Sequence, residues 1–132
     1  MNRFYLFRLE TSERRRFMSS GNVMLPKRSC SILTLPMKGK WFDMIDSGLK
    51  REEYRGVDYW GIRVFNWIER YENDPQFANL VVSFQRGYRK PSMSFTVTDV
   101  SFVTSCRHRR IEWGEPKEPH VKISLGCRAI LT

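Results

Sequence analysis

The sequence predicts an α+β domain, because several short apolar segments typical of strands accompany two segments with helical periodicity. The 132 residues fit one domain, and a hydrophobic content of 41% is enough for a modest core. An alternating segment, Met93, Phe95 and Val97, resumes out of phase at Val100 and Phe102. A phase slip of this kind indicates a bulge or bend. Few helices, several short strands and one phase slip fit a small, partly closed barrel with helices packed at one side, but periodicity by itself predicts only the α+β class.

The first predicted strand covers Cys30–Leu35 and stops at Pro36, because proline cannot donate to a β-ladder. An amphipathic helix follows from Lys38, and Gly48 is placed to cap its C-terminus. The apolar positions of this helix are Trp41, Phe42, Met44, Ile45 and Leu49.

A second strand is predicted over residues 51–56. Because residues two apart on a strand share a face, Arg51, Glu53 and Arg55 would point one way. Glu52 and Tyr54 would point the other way.

A second helix is predicted from Asp58, which can serve as its N-cap. Its apolar stripe is predicted to pack into the core and consists of Trp60, Val64, Trp67, Ile68 and Tyr71. A buried strand at Leu80–Phe84, a turn at Gly87 and a final strand at Val121–Leu125 that ends at Gly126 complete the expected elements.

Positive charge is concentrated near the N-terminus. The chain has a formal net charge of +9, and residues 1–29 hold seven Arg or Lys against two Glu. We expect residues 1–29 to be a basic, flexible leader that includes Arg14, Arg15 and Arg16, and residues 30–132 to be the domain. A transit peptide, or a true start at Met18 or Met24, are alternatives for the leader. The basic balance favours anionic partners such as nucleic acid.

The cysteine and histidine patterns indicate neither a disulfide framework nor a metal site. The odd set Cys30, Cys106 and Cys127 contains no CxxC pair, so a reducing cytoplasm is the expected location. His108 and His120 lack the spacing of zinc ligands, and we expect no metal and no other cofactor. The sequence also lacks an apolar run of the roughly 18 residues that a membrane-spanning helix needs, so no membrane partner is expected.

The most informative segment carries Gly48, Lys50, Glu53 and Arg55 at the spacing GxKxxExR, where a helix gives way to a strand. Lysine and arginine can meet a phosphate, and Glu53 can orient Arg55 or accept a hydrogen bond from the exocyclic amine of a base. The simpler interpretation is a surface ion pair that contributes at most about 1 kcal/mol to stability.

In this position and context GxKxxExR resembles the motif of the ASCH family, small β-barrel domains related to the PUA group and mostly regarded as RNA-binding. The resemblance extends from Cys30 to the C-terminus and implies a small PUA-like β-barrel with two or three flanking helices. Further segments that resemble bacterial and phage-encoded members are Tyr59-Trp60 with Arg63, Gly87-Tyr88, Glu112-Trp113-Gly114 and Ile123-Ser-Leu-Gly126.

The expected function is binding of RNA or a nucleotide in a cleft beside the motif. Lys38 and Lys40 are unfavourable for the dipole of the helix that they precede, which is consistent with an anion nearby. Exposed aromatic side chains would stack on bases. The candidate contacts are Lys38, Lys40, Lys50, Glu53, Arg55, Tyr59, Tyr88 and Trp113. We expect a monomer.

Two other functions stay open. Some ASCH members resemble amidohydrolases that remove the acetyl group of N4-acetylcytidine, and others are associated with ribonuclease activity. A hydrolase would use Lys50 and Glu53, although Glu53 stands where the amidohydrolases have a threonine. The third possibility is a non-catalytic module whose aromatic residues contact a protein partner.

Overall fold

The computed structural model describes residues 2–13, 21–105 and 108–132. In this part of the chain seven strands form one sheet, which is accompanied by helices α1 and α2 and by short 3-10 turns at Lys27–Ser29 and Ile111–Trp113. The helices are α1 (Gly39–Asp46) and α2 (Val57–Asn73). The strands are β1 (Asn2–Arg8), β2 (Val23–Leu25), β3 (Cys30–Met37), β4 (Glu52–Gly56), β5 (Asn79–Arg86), β6 (Arg89–Ser105) and β7 (His120–Leu131).

The two long strands β6 and β7 form the middle of the sheet, whose order is β2-β7-β6-β5-β3, with β1 paired to β6 and β4 paired to β7. The register between β6 and β7 shifts between Phe95 and Val97 and again between Val97 and Asp99. The predicted irregularity near Asp99 is therefore confirmed. No ladder joins β3 to β4 in the described residues, so the sheet is not closed into a barrel. The α+β class is confirmed.

Helix α2 packs its predicted apolar stripe into the core. Val64, Trp67 and Ile68 are buried, and Trp60 and Tyr71 pack against the same cluster while partly exposed. The Trp67 indole N–H lies 2.9 Å from the Ser31 carbonyl oxygen and 3.1 Å from that of Val81. This contact fixes the helix across β3 and β5.

The helix ends differ in detail from the prediction. Gly56, not Asp58, is the N-cap of α2, and Asp58 lies in the first turn, where a carboxylate still interacts favourably with the helix dipole. Helix α1 ends at Asp46, and Gly48 adopts the positive φ of 83° expected for a terminating glycine. Leu49 therefore lies beyond the helix and is exposed, not part of its apolar stripe.

The strands are longer than predicted. Strand β3 continues through Pro36, which is tolerated because β3 is an end strand of the sheet. Strand β7 continues past Gly126 and pairs there with β2. Strand β4 begins at Glu52, and Arg51 precedes it, donating to the carbonyl oxygens of Leu125 and Gly126.

Two parts of the range 1–29 belong to the sheet. Strand β1 pairs antiparallel with β6, and β2 pairs parallel with β7. This differs from the expected flexible leader, because the short apolar segment Phe4–Phe7 adds to an open edge of β6. The predictions that concern Arg14–Arg16, Met18 and Cys106 lie outside the described residues. Within those residues no helix combines the length and apolarity needed to cross a membrane.

Candidate functional site

The end of α1 and strand β4 bring the three charged residues of the motif into one cluster. Lys50 Nζ lies 3.1 Å from Glu53 Oε1, and Arg55 Nη1 lies 3.0 Å from Glu53 Oε2. Glu53 and Arg55 share a face of β4, as predicted. This face points into the core, because their partners on β7 are Ile123 and Val121, which are both buried.

The cluster is buried. Lys50 is 2% exposed and Glu53 is 3% exposed, so the interpretation of the motif as a surface ion pair is wrong. The Lys50 ammonium donates to the Trp113 carbonyl oxygen at 2.7 Å and lies 4.3 Å from the centre of the Trp41 ring. Burial lowers the pKa of Lys50, although the Glu53 carboxylate opposes this shift.

Arg55 links the two strands between which the sheet is open. Its Nη2 donates to the carbonyl oxygen of Pro36 on β3 at 2.8 Å, while its backbone belongs to β4. The Trp60 ring covers the guanidinium, with its centre 5.4 Å from Arg55 Cζ. Two buried atoms of the cluster, Glu53 Oε2 and Arg55 Nε, have no hydrogen-bond partner among the described residues. The ion pair at 3.0 Å therefore holds Glu53 Oε2 chiefly by charge.

Three of the predicted contact residues lie on an exposed surface near the motif. Lys38 and Lys40 are exposed at the start of α1, and Tyr88 is 87% exposed in the turn between β5 and β6. The Gly87 N–H donates to the Met37 carbonyl oxygen at 2.7 Å, which places this turn beside Lys38.

Arg86 extends this surface. Its guanidinium is 3.2 Å from the Asp43 carboxylate of α1. It crosses the start of the helix so closely that a Cβ added at Gly39 would lie 2.5 Å from Arg86 Nη2. We call Lys38, Lys40, Arg86 and Tyr88 the hairpin surface.

The other two predicted aromatic contacts lie on other elements. Tyr59 is 73% exposed on α2, and its ring centre is 5.2 Å from that of Trp60. Trp113 is partly buried, with Arg110 4.4 Å above its ring, and its carbonyl group accepts a hydrogen bond from Lys50 of the motif.

A second buried polar cluster was not predicted. His120 Nε2 is 2.9 Å from Glu115 Oε2, and Lys122 Nζ is 3.4 Å from the same oxygen. On the adjacent strand the Tyr54 hydroxyl donates to Glu52 at 2.8 Å. The pKa of Tyr54 is raised, first by burial and then by this carboxylate. His120 and Lys122 lie two residues apart on β7, so their side chains share a face of the strand. This spacing could have indicated a polar cluster from the sequence alone.

The second cluster fixes the segment 108–119. Glu115 Oε1 accepts from the Arg110 backbone N–H at 2.9 Å. Burial opposes the charged form of Glu115. Hydrogen bonds from Arg110 and His120, together with the Lys122 charge, outweigh that effect and lower the pKa of the carboxyl group. Gly114 has a φ of 80° and packs tightly on Trp41.

Comparisons of the chain with protein-family models, with curated proteins and with solved structures returned no match.

Proposed function

We propose that this protein is an ASCH-like domain that binds single-stranded RNA through the hairpin surface. The observation that carries the proposal is the backbone contact between Gly87 and Met37, which sets an exposed tyrosine beside two exposed lysines. The net charge of +9 and the resemblance of GxKxxExR to the ASCH motif support the same assignment.

The chemistry of the hairpin surface suits an unpaired nucleotide. Tyr88 offers a ring on which a base can stack, a contact worth about 1–3 kcal/mol per base. Lys38 and Lys40 supply cations for phosphates. Arg86 is already paired with Asp43, so it adds less positive charge than an unpaired arginine would.

The buried motif has a supporting role in this proposal. Lys50 and Lys40 approach the same Trp41 ring, at 4.3 Å and 4.6 Å from its centre. The motif therefore holds the side chain that lies beneath one of the exposed lysines. A phosphate cannot reach Lys50 or Glu53 while both are buried.

Binding of a labelled RNA oligomer, measured by fluorescence anisotropy, tests the proposal. We expect Tyr88→Ala to weaken binding about 5- to 150-fold, the equivalent of the stacking energy above. The double variant Lys38→Ala/Lys40→Ala should make the plot of log affinity against log salt shallower, by about 1 to 2 in the magnitude of its slope.

Matched controls are available for both variants. Tyr59→Ala removes a tyrosine of similar exposure from α2, and Lys117→Ala removes an exposed lysine from the segment 108–119. If Tyr88→Ala and Tyr59→Ala bind equally well, the hairpin surface is not the binding site.

The structure does not favour the hydrolase alternative. A general acid or base must come within hydrogen-bond distance of its substrate. Lys50 and Glu53 already bind each other, and the Lys50 ammonium also donates to the Trp113 carbonyl oxygen.

One observation favours a second candidate function, contact with a protein. Tyr59, Ile62 and Phe65 are 73%, 70% and 56% exposed on one side of α2. Clustered exposed apolar side chains are typical of protein interfaces. Phe65→Glu should abolish such an association and leave RNA affinity unchanged, which a pull-down from nuclease-treated lysate alongside the anisotropy assay would show.

A further inference from the structure

A groove of about 800 Å3 runs over the face of the sheet opposite the helices. Its floor follows the strand register, in which Thr34 lies beside Ser83 and Ser83 beside Ser94. Ser83 and Ser94 share a hydrogen bond at 2.6 Å between their hydroxyl oxygens. Small hydroxyl side chains on three adjacent strands leave room for a chain to lie close to the sheet.

The described residues that line the groove include two cations and no carboxylate. Lys27 and Arg128 line it, and Gln85 and Ser92 add further hydrogen-bonding groups. Arg128 is paired with Asp46 at 2.6 Å outside this lining, so Lys27 is the stronger positive charge along the groove.

The groove ends next to the hairpin turn along the chain. Gln85 lines the groove, and Arg86, Gly87 and Tyr88 follow it directly in the chain. Ser83 and Arg86 are three residues apart on β5, a separation of roughly 10 Å along the strand, and Tyr88 follows in the turn.

We infer that the groove holds the sugar-phosphate backbone of the same RNA strand whose base stacks on Tyr88. This inference rests on the proposed function and extends it along the strand. The hydroxyl and amide groups of the floor suit phosphate oxygens and ribose 2′-hydroxyls, and Lys27 offers a counter-charge. The lining residues that the structure describes include no aromatic ring, so bases would stack at the hairpin surface and not in the groove.

A length series of oligouridylates from about 4 to 16 nucleotides tests the inference, since single OB-fold domains bind strands of this range of lengths. We expect affinity to rise with length in the wild type, because only longer strands reach from Tyr88 into the groove. Thr34→Glu places a carboxylate on the floor and should weaken binding of the longest oligomer about tenfold or more. It should leave the shortest oligomer unaffected.

Two further variants distinguish a loss of binding from a loss of folding. Thr34→Gln introduces a side chain of the same size as Thr34→Glu but without the charge, and it should bind RNA as the wild type does. Lys27→Ala, at an exposed position on the groove wall, should lower the salt slope for the longest oligomer alone by about 1.

The results distinguish the groove inference from the proposed function. If short oligomers bind through Tyr88 while length, Thr34→Glu and Lys27→Ala have no effect, the groove inference is overturned and the proposed function stands. If no oligomer binds the wild type, the proposed function fails and the groove inference fails with it.

Discussion

At the residue scale, each cation of the motif has internal acceptors. Lys50 binds Glu53 and the Trp113 carbonyl group, and Arg55 binds Glu53 and the Pro36 carbonyl group. Removing water from these charges is costly, and their mutual attraction offsets that cost only while all partners are present. The motif therefore bridges β3 and β4, between which the sheet is open.

Loss of one partner should be strongly destabilising. We expect Lys50→Met to lower the free energy of unfolding by about 3–5 kcal/mol, because the buried Glu53 carboxylate would lose one of its two cations. Urea denaturation measures this change. The exposed Lys40→Met is the control, and a loss below about 1 kcal/mol for Lys50→Met would match a surface pair and contradict the account.

Gly114 should tolerate substitution poorly. A Cβ there would lie 2.9 Å from Trp41 Cζ2, and the φ of 80° is unfavourable for any residue with a side chain. We expect Gly114→Ala to reduce stability by more than about 1 kcal/mol in thermal denaturation.

Gly61 in the interior of α2 provides a control, because alanine there should raise stability and not reduce it. An added Cβ would make only an ordinary contact of 3.4 Å with Val57. Gly61→Ala should raise stability by roughly 0.5–1 kcal/mol. Equal effects at the two glycines would contradict the tight packing of Gly114 on Trp41.

At the element scale, the segment 108–119 is held to β4 and β7 by ionisable groups. Glu115 takes hydrogen bonds from Arg110 and His120, and its pKa is lowered in the folded state by these contacts against the effect of burial. A carboxylate with a lowered folded pKa contributes stability above its unfolded pKa of about 4.3. That contribution is lost as the pH falls through the folded value.

Glu115→Gln should therefore be less stable than the wild type at neutral pH, and the difference should narrow below about pH 4. Urea denaturation across the pH range measures it. Glu112→Gln, at an exposed position of the same segment, is the control and should show no such dependence. A difference between wild type and Glu115→Gln that is constant with pH would show that the carboxylate charge does not hold the segment.

At the scale of the whole molecule, the sequence pattern predicted the features that depend only on neighbouring residues in the chain. The stripe of α2, the turn at Gly87 and the irregularity near Asp99 follow from side-chain spacing alone. The alternation on β4 correctly paired Glu53 with Arg55 on one face. It could not say that this face points inward, because inward direction depends on pairing with β7, about 70 residues later in the chain.

The assembly of the candidate site is likewise non-local. Lys38 and Tyr88 were each predicted as contacts, but only the pairing of Met37 with Gly87 brings them together. Arg86 was not predicted, since its place beside α1 depends on the same pairing. The pairing of β1 with β6 was missed because Phe4–Phe7 is too short and too interrupted to predict a strand position from sequence.

We expect RNA to contact the exposed hairpin surface and not the buried motif. Photo-cross-linking of a 4-thiouridine oligomer, followed by mass spectrometry of the protein's peptides, locates the contact directly. We predict adducts on peptides that contain Tyr88 or residues 38–41. Adducts confined to residues 50–55, or to α2, would contradict the account.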